Sequence, residues 1–579
     1  MDSAPKTIVR HLAPDDASQR FPSLHPVLQN IFAIRSVGSE SELALELEQL
    51  LPARQLSQID DAAALLERAI ENRRRILIVA DFDADGATSC ALAVRALRQM
   101  GAVNVDYIVP NRFEYGYGLT PEIVADALLR EPDLILTVDN GIASNDGVLA
   151  AKRAGVGVLV TDHHLPGDSL PDADAIVNPN SPGDSFPSKH LAGVGVIFYV
   201  MAALRARLRG RDWFLSQGIA EPNLADLLDL VALGTVADVV PLDRNNRILV
   251  HQGIKRIQAG RCCEGIKALL KIAGKSWDSL VTSDLGFRVG PRLNAAGRLD
   301  DMSIGIECLL TDDPVRATTI AEQLNSLNLE RREIEKSMRQ QAMADLEAVI
   351  FDPARLPNGI CVFREEWHQG VIGILAARIR ESYHRPVIAF ALTDEGEIKG
   401  SARSIPGLHI RDTLDIIAKK YPQMLSKFGG HAMAAGLSLR LTDFEAFSRI
   451  FDHEVQLRLA GVGLDHILNS DGELNGRDIG LDLALTLKSI SPWGQNFPEP
   501  LFDGIFQVMH KKIVGGDHLK MVVSAEDSDK HLDAIAFNQA ERSPDSVGVR
   551  VHAAYRLDIN DYRGLQKEQL IIEYFEVLD

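Results

Sequence analysis

Between residue 75 and about residue 160 the chain repeats short, mainly apolar runs: Ile76–Ala80, 105–109, Leu134–Val138 and 156–160. Amphipathic stretches with helical spacing, such as 87–100 and 142–154, lie between them. A strand without polar alternation has both faces covered, and strands joined by helices run parallel. This rhythm commits the region to an α/β domain with a parallel sheet between helical layers, expected to extend to about residue 310. A single core rarely grows past ~250–300 residues, so a chain of 579 should hold several domains.

Asp313 and Pro314 make a helix start, with Asp as N-cap and Pro at the first helical position. From there to about Val349 the chain has no Pro or Gly, and Ile320, Leu324, Leu327, Ile334, Met338 and Ala342 recur at helical spacing. The spacing predicts a helix of about 50 Å at ~1.5 Å per residue, acting as a connector. A short coiled coil is the alternative, disfavoured by poor heptads. Residues 355–460 return to α/β rhythm, and the last part reads as short strands with turns at Gly504, Gly515-Gly516, Asn538 and Gly564, a small β-barrel. The expected organisation is 1–70 as a leader packed on the core, 71–311 as the first α/β domain, 312–350 as connector, 351–462 as a second α/β domain and 463–579 as the small barrel.

The net charge of −19 argues against a protein that coats nucleic acid by bulk attraction, while leaving room for a local basic channel. Residues 364–440 carry more Lys and Arg than Asp and Glu inside this acidic chain. Cys90, Cys262, Cys263, Cys308 and Cys361 include no CxxC spacing, which disfavours a thiolate zinc site and fits a reducing compartment. The opening residues lack a signal-peptide pattern, and the apolar stretch 191–204 is too short to span a bilayer. A cytoplasmic protein with no membrane association is expected.

The run Ile76–Ala80 ends in Asp81-Phe82-Asp83-Ala84-Asp85-Gly86. On an extended backbone three carboxylates at alternate positions project on one side, and their mutual repulsion calls for a cation. A solvated acidic loop is the plain alternative. Leu134–Val138 ends in Asp139-Asn140-Gly141, where Asp139 alone fits a helix N-cap. The run 156–160 leads to Thr161-Asp162-His163-His164; adjacent histidines on an extended segment face opposite ways, so one of them is expected to reach a shared ion. In LLDLVALGTVADVVPL, residues 227–242, the carboxylates Asp229 and Asp238 need partners in apolar surroundings, and an ion would serve. Three of these four sites stand at strand ends, where open α/β sheets bind ligands. Oxygen donors with imidazole suit Mn²⁺ or Mg²⁺, and so many carboxylates suit two ions, the usual device for in-line phosphoryl displacement.

DFDADG, VDNG, the Asp162-His163-His164 triplet and GTVADVVPL, in this order, resemble the signature of the DHH phosphoesterases. The resemblance implies Asp83, Asp85, Asp139, His163 and Asp238 as ligands of two Mn²⁺ or Mg²⁺ ions, with Asp81 close by. It implies that Asp139 bridges the ions and that His164 faces the scissile phosphate. Gly429-Gly430-His431-Ala432-Met433-Ala434-Ala435-Gly436 is similar to the substrate-binding motif of the DHH-associated domain, so Gly429, Gly430 and His431 are candidate substrate contacts. The segments PNR at 110–112 with GYGL at 116–119, GPRLNAAGRLD at 290–300 and SPWGQNFPEPLF at 491–502 resemble the branch of the family that digests single-stranded DNA. That branch implies that Arg112, Arg298, Ser401 and Arg403 grip a 5′-terminal phosphate, with Arg292 as the alternative to Arg298. It further implies 5′-to-3′ release of mononucleotides in DNA recombination and repair, with single-stranded-DNA-binding protein and repair factors as partners. A monomer is expected. The C-terminal barrel resembles the OB-fold of that branch; in it Lys511, Lys512, His518 and Lys520 with Phe506 and Phe537 are candidate strand contacts, Phe506 reading first as barrel core. The alternatives are a phosphodiesterase of short oligonucleotides or cyclic dinucleotides on the same scaffold, and a scaffold without activity, which the intact carboxylate set opposes.

Overall fold

The computed structural model describes residues 6–111, 118–349, 356–393, 396–425, 427–460, 466–562 and 564–578. The chain forms two compact units, one of residues 11–328 with 470–579, the other of the first ten residues with 329–469.

In the first unit the expected runs form a parallel sheet of β2 (Ile76–Ala80), β3 (Val105–Ile108), β4 (Leu134–Val138), β5 (Gly157–Thr161) and β6 (Ala175–Val177), in the order β3-β2-β4-β5-β6. Every residue of β2 and β4 is buried, as unbroken apolar runs require of a sheet covered on both faces. The chain goes from β2 outward to β3 and then crosses to β4 on the other side, so the switch of direction lies between β2 and β4. Ligands bind at the carboxyl ends of strands at such a crevice. Pairing of Ala80 with Val138 and of Val138 with Thr161 sets the three strand ends level. Asp81, Asp139 and Asp162 therefore stand side by side along one rim, each donating its backbone N–H to the neighbouring strand, to Val138, Thr161 and Val177.

The C-terminal strands close into a barrel of β13 (Phe502–Val514), β14 (His518–Ala525), β15 (His531–Ala536), β16 (Arg550–Tyr562) and β17 (Leu565–Leu578) in the order β13-β14-β15-β17-β16. One continuous apolar core runs from helices around the sheet into the barrel, and Phe32, Trp493 and Phe497 stack within it. A buried ion pair of Arg35 with Asp471, 2.6 Å long, fastens the N-terminal helix Pro26–Ile34 to the start of the barrel segment.

The second unit is built on a sheet of β7 (Ile360–Phe363), β8 (Val387–Leu392), β9 (Glu397–Arg403), β10 (Lys427–Gly430) and β11 (Ala434–Arg440), ordered β10-β11-β9-β8-β7, with only β7 and β8 parallel. Phe390, Leu437, Phe447, Phe451 and Val455 are among its core. The expected leader 1–70 is divided: β1 (Lys6–Arg10) pairs with β12 (His466–Ser470), while Phe21, Leu28, Ile31, Phe32 and Leu56 pack into the core of the first unit. The expected connector is the helix Pro314–Val349, about 54 Å at ~1.5 Å per residue, and it is shared between the units at Leu329. Among the described residues, no helix is long and apolar enough to cross a membrane.

Candidate metal centre

The acidic hexapeptide does not stay extended. β2 ends at Ala80, and the helix Ala84–Gln99 starts at once, with Asp83 as its N-cap accepting from the backbone N–H of Asp85 at 2.9 Å and of Gly86 at 3.0 Å. A Cβ on Gly86 would lie 2.4 Å from the Asp81 carbonyl oxygen, so glycine alone permits so abrupt a turn. The alternate-residue argument therefore fails in its geometry, and the carboxylates converge by a different route. Asp85 points from the first helical turn into the protein, where its oxygens accept from Gly193 N at 2.7 Å and Val194 N at 3.0 Å, at the start of the helix Gly193–Arg209.

Asp139 is buried and is no helix cap; it sits in the left-handed region, φ +63°, which turns its carboxylate back toward Asp81 and Asp83. His163 Nε2 lies 3.1 Å from Asp139 Oδ1, 3.5 Å from Asp238 Oδ2 and 4.0 Å from Asp85 Oδ2. Both histidines reach the centre, against the expectation of one, because 162–164 has left the strand: their rings are 4.4 Å apart, and His164 Nδ1 stands 4.0 Å from Asp139. Of the two acids in the apolar segment 227–242, Asp238, at the end of the helix Leu228–Ala237, joins the cluster. Asp229 does not. Its partners are the backbone N–H groups of Leu230 and Cys263.

Three sets of donor atoms each fit within 4.8 Å: Asp81, Asp83 and Asp139; Asp85, His163 and Asp238; and Asp139, His163 and His164. Burial holds the Asp85 carboxyl well above the usual range, and the charges of Asp238 and Asp83 raise it further. Burial does the same to Asp139, with Asp85, Asp83, Asp81 and Asp238 adding. Asp238 is pushed up to about 7 by burial and by Asp83. Carboxylates crowded in this way gain by holding a cation. Two glycines make the cradle: a Cβ on Gly193 would lie 2.6 Å from the Asp139 Cβ, and one on Gly234 would lie 2.8 Å from Asp85 Oδ1. Carboxylate oxygens with imidazole nitrogen at these spacings fit hard divalent ions.

Asp162, quoted in the sequence motif without a role, positions the rest. It is buried; one oxygen accepts from His163 N, His164 N and His164 Nδ1 (2.7 Å), the other from Ile142 N. These bonds outweigh burial and hold its carboxyl below the usual range. Burial lowers His164, but Asp162, Asp238 and Asp81 lift it to about 9. Asn294 is a further residue that sequence reasoning missed. Its side-chain oxygen accepts from Ala84 N at 2.8 Å and ties the helix Gly290–Leu299 to the carboxylate loop.

The candidate phosphate contacts separate. Arg112 lies outside the described residues. Arg298 is in the last turn of Gly290–Leu299, next to Gly297, whose missing Cβ would lie 1.8 Å from the Phe82 carbonyl oxygen, so its position borders the carboxylate loop. Arg292 is engaged with Asn325 at 3.0 Å. Ser401, Arg403, Gly429, Gly430 and His431 gather in the second unit. Arg403 donates to Ser401 Oγ at 3.1 Å, and Gly373 leaves room for the pair, since a Cβ there would lie 2.9 Å from Arg403 Nη2. Ser401, Gly436 and Gly429 lie abreast across β9, β11 and β10, and a Cβ on either glycine would meet open space. The result is a flat, open lane beside an arginine. His431 closes the β10–β11 turn, its N–H donating to Ala434 O.

On the barrel, Lys512 stands directly opposite Lys520, and Phe537 is half exposed with His518 against its ring at 5.3 Å. Phe506 is core, 1% exposed. Lys511 Nζ is taken up by Ser543 and Pro544. A hollow of about 390 Å³ is lined by Lys520, Asp533, Asn560, Leu565 and Lys567.

Comparison with known proteins places these features in a family. The model of the DHH family, N-terminal domain, matches residues 75–235, that of the DHHA1 domain 357–457 and that of the RecJ OB domain 470–574. The chain is 51% identical to the single-stranded-DNA-specific exonuclease RecJ of Salmonella typhimurium, over 98% of each chain. It is 53% identical to that of Dickeya dadantii, over 95% of this chain and 96% of the relative. The crystal structure of Thermus thermophilus RecJ in complex with Mn²⁺ superposes with a TM-score of 0.81 at 28% identity, covering 99% of this chain and 80% of that one. The same protein has been solved in complex with Mg²⁺. By sequence over nearly its whole length, and by fold, the chain belongs to the RecJ family of DHH exonucleases.

Proposed function

We propose that the protein is a single-stranded-DNA-specific exonuclease that hydrolyses phosphodiester bonds with two Mn²⁺ or Mg²⁺ ions, working 5′ to 3′ and releasing mononucleotides. The observation that carries this reading is the pair of donor sets, Asp81–Asp83–Asp139 and Asp85–His163–Asp238, joined through the 3.1 Å approach of Asp139 to His163 at the switch point of the sheet. When bound, the ions supply Lewis-acid stabilisation of charge on the phosphoryl oxygens and activate water.

The chain's own residues do the rest. Asp162 takes up Nδ1 of His164 and so fixes the ring with Nε2 as the atom that can meet a phosphoryl oxygen. The Asp162 carboxylate on Nδ1 favours the protonated ring, which offers that oxygen a charge-assisted hydrogen bond. Arg112, Arg298, Ser401 and Arg403 are proposed to hold the 5′ phosphate. Gly429, Gly430 and His431 shape the lane for the sugar-phosphate chain. Lys512, Lys520 and Phe537 pair positive charge with an exposed ring, which suits a single strand held without reading its sequence. The barrel favours long strands over dinucleotides as substrates. We further propose a monomeric, cytoplasmic enzyme that meets single-stranded-DNA-binding protein and the recombination and repair machinery at strand ends, and we take 71–311, 351–462 and 463–579 as its functional domains.

Digestion of end-labelled single strands, with and without a 5′ phosphate, in Mn²⁺ and in Mg²⁺, tests the reading. Release of mononucleotides from the 5′ end, faster with the phosphate and absent on duplex, is expected. Faster turnover of dinucleotides than of long strands would move the assignment to the short-substrate branch of the family.

A further inference from the structure

Asp238 is held differently from four other carboxylates of the centre. Asp81, Asp83, Asp85 and Asp162 each accept backbone N–H groups. Asp238 instead caps the carboxyl end of the helix Leu228–Ala237, where carbonyls and the helix dipole oppose a negative charge. The next residue, Val239, has φ +62°. This is the position after a helix that glycine ordinarily takes, and a β-branched side chain there is strained. Val239 is nevertheless well exposed, so packing of its side chain does not explain the conformation.

The adjoining segment, in contrast, is anchored. The left-handed turn leads into 240–243, which is fastened at three points. Leu242 N donates to Gln495 O at 2.8 Å. Asn246 Nδ2 donates to Pro241 O at 2.9 Å and to His190 O at 2.6 Å. Ser188 Oγ donates to Asp243 at 2.6 Å. Gln495 belongs to a tight loop closed by reciprocal hydrogen bonds between Gly494 and Phe497, at 2.9 and 3.1 Å. A Cβ on Gly494 would lie 2.7 Å from Leu242 Cδ1 and 3.1 Å from its Cγ, and Leu242 is buried. The loop itself is rigid: Trp493 stacks on Phe497 at 5.3 Å, Phe32 stacks on Trp493, and the Arg247 guanidinium covers the Phe497 ring at 4.0 Å.

We propose that the loop 493–497 is a brace for the metal centre: by gripping Leu242 it imposes the strained turn at Val239 and thereby holds the Asp238 carboxylate beside His163. The proposal rests on the two-metal reading. Val239, Leu242 and Gly494 are positioning residues in it. The same loop leads on toward β13, so the barrel's attachment and one ion's carboxylate share a single mechanical element.

Titration of the full-length, metal-free protein with Mn²⁺, followed by calorimetry well below its melting temperature, tests it. The wild type is expected to take up two ions. Gly494→Val is expected to weaken one of the two sites by about 10–100-fold, the size of effect usual for residues that orient a ligand, and to leave the other unchanged. Phe506→Leu in the barrel core should lower the melting temperature with both affinities intact. The proposal is overturned if Gly494→Val melts earlier but binds both ions as the wild type does, or if Phe506→Leu weakens the same site. Where Gly494→Val fails to fold, Leu242→Ala, which removes the gripped side chain, decides: a weakened site supports the brace, and unchanged affinities overturn it. A wild type that does not bind two ions removes the two-metal reading and the brace with it.

Discussion

Asp139 touches both donor sets, so its loss should be the least forgiving in the protein. Asp139→Ala is expected to reduce Mn²⁺-dependent nucleotide release by roughly 10³-fold or more while leaving circular dichroism unchanged, because the buried carboxylate is repelled by its neighbours rather than needed for packing. Asp162→Asn keeps shape but no longer accepts both backbone N–H groups and Nδ1 as a carboxylate, and should cost about 10–100-fold in activity or metal affinity. The raised carboxyls also fix a pH dependence. A group whose folded pKa lies above its unfolded value lends the metal-free protein stability below the unfolded pKa, and that stability is lost as pH rises through the folded pKa. Asp85, Asp139 and Asp238, the last at about 7, therefore weaken the metal-free protein as pH rises toward 8. Mn²⁺ binds the deprotonated forms and reverses this. The rise in melting temperature on adding Mn²⁺ should be larger at pH 8 than at pH 6, and binding at pH 6.5 should release protons, measurable in buffers of different ionisation enthalpy. At this scale the sequence was legible in residue type and order. It was not legible in direction: the helix starts two residues earlier than extended spacing allows, and the left-handed Asp139 turns a carboxylate that reads as a cap.

Elements converge on the centre because glycines let them approach. Gly193 sets the helix Gly193–Arg209 against Asp139, Gly234 sets Leu228–Ala237 against Asp85, and Gly297 sets Gly290–Leu299 against the Phe82 carbonyl. Gly193→Ala should displace Asp139 and lower kcat by about 10–100-fold, with a loss of stability of about 1–3 kcal/mol from overpacking, read by denaturant melts and single-strand digestion. The strands were legible because fully buried parallel strands leave unbroken apolar runs, and the long helix because it carries no Pro or Gly beyond its first residue. The cradle was not. A glycine inside a helix announces close approach without saying to what, and only the fold brings residue 193 to residue 139.

At the scale of the molecule, one apolar core continues from the catalytic sheet into the barrel, while the second unit carries the arginine, serine and glycine lane on its own sheet. The buried pair of Arg35 and Asp471 is the polar fastening of the first arrangement. Removing one partner strands a buried charge, so Arg35→Ala should cost about 3–5 kcal/mol and split the calorimetric transition into a barrel phase and a sheet phase. Neither Arg35 nor the division of the first seventy residues was legible in the sequence, since pairing across more than four hundred residues leaves no local pattern.

Asp81, Asp83, Asp85, Asp139, His163 and Asp238 are proposed to enclose two cations. Anomalous diffraction from crystals soaked in Mn²⁺ tests it most directly. Two peaks ~3.5–4 Å apart are expected, one against Asp81 and Asp83, one against Asp85 and Asp238, with Asp139 reaching both. No peak among these carboxylates, or a single one that Asp139 does not touch, would contradict it.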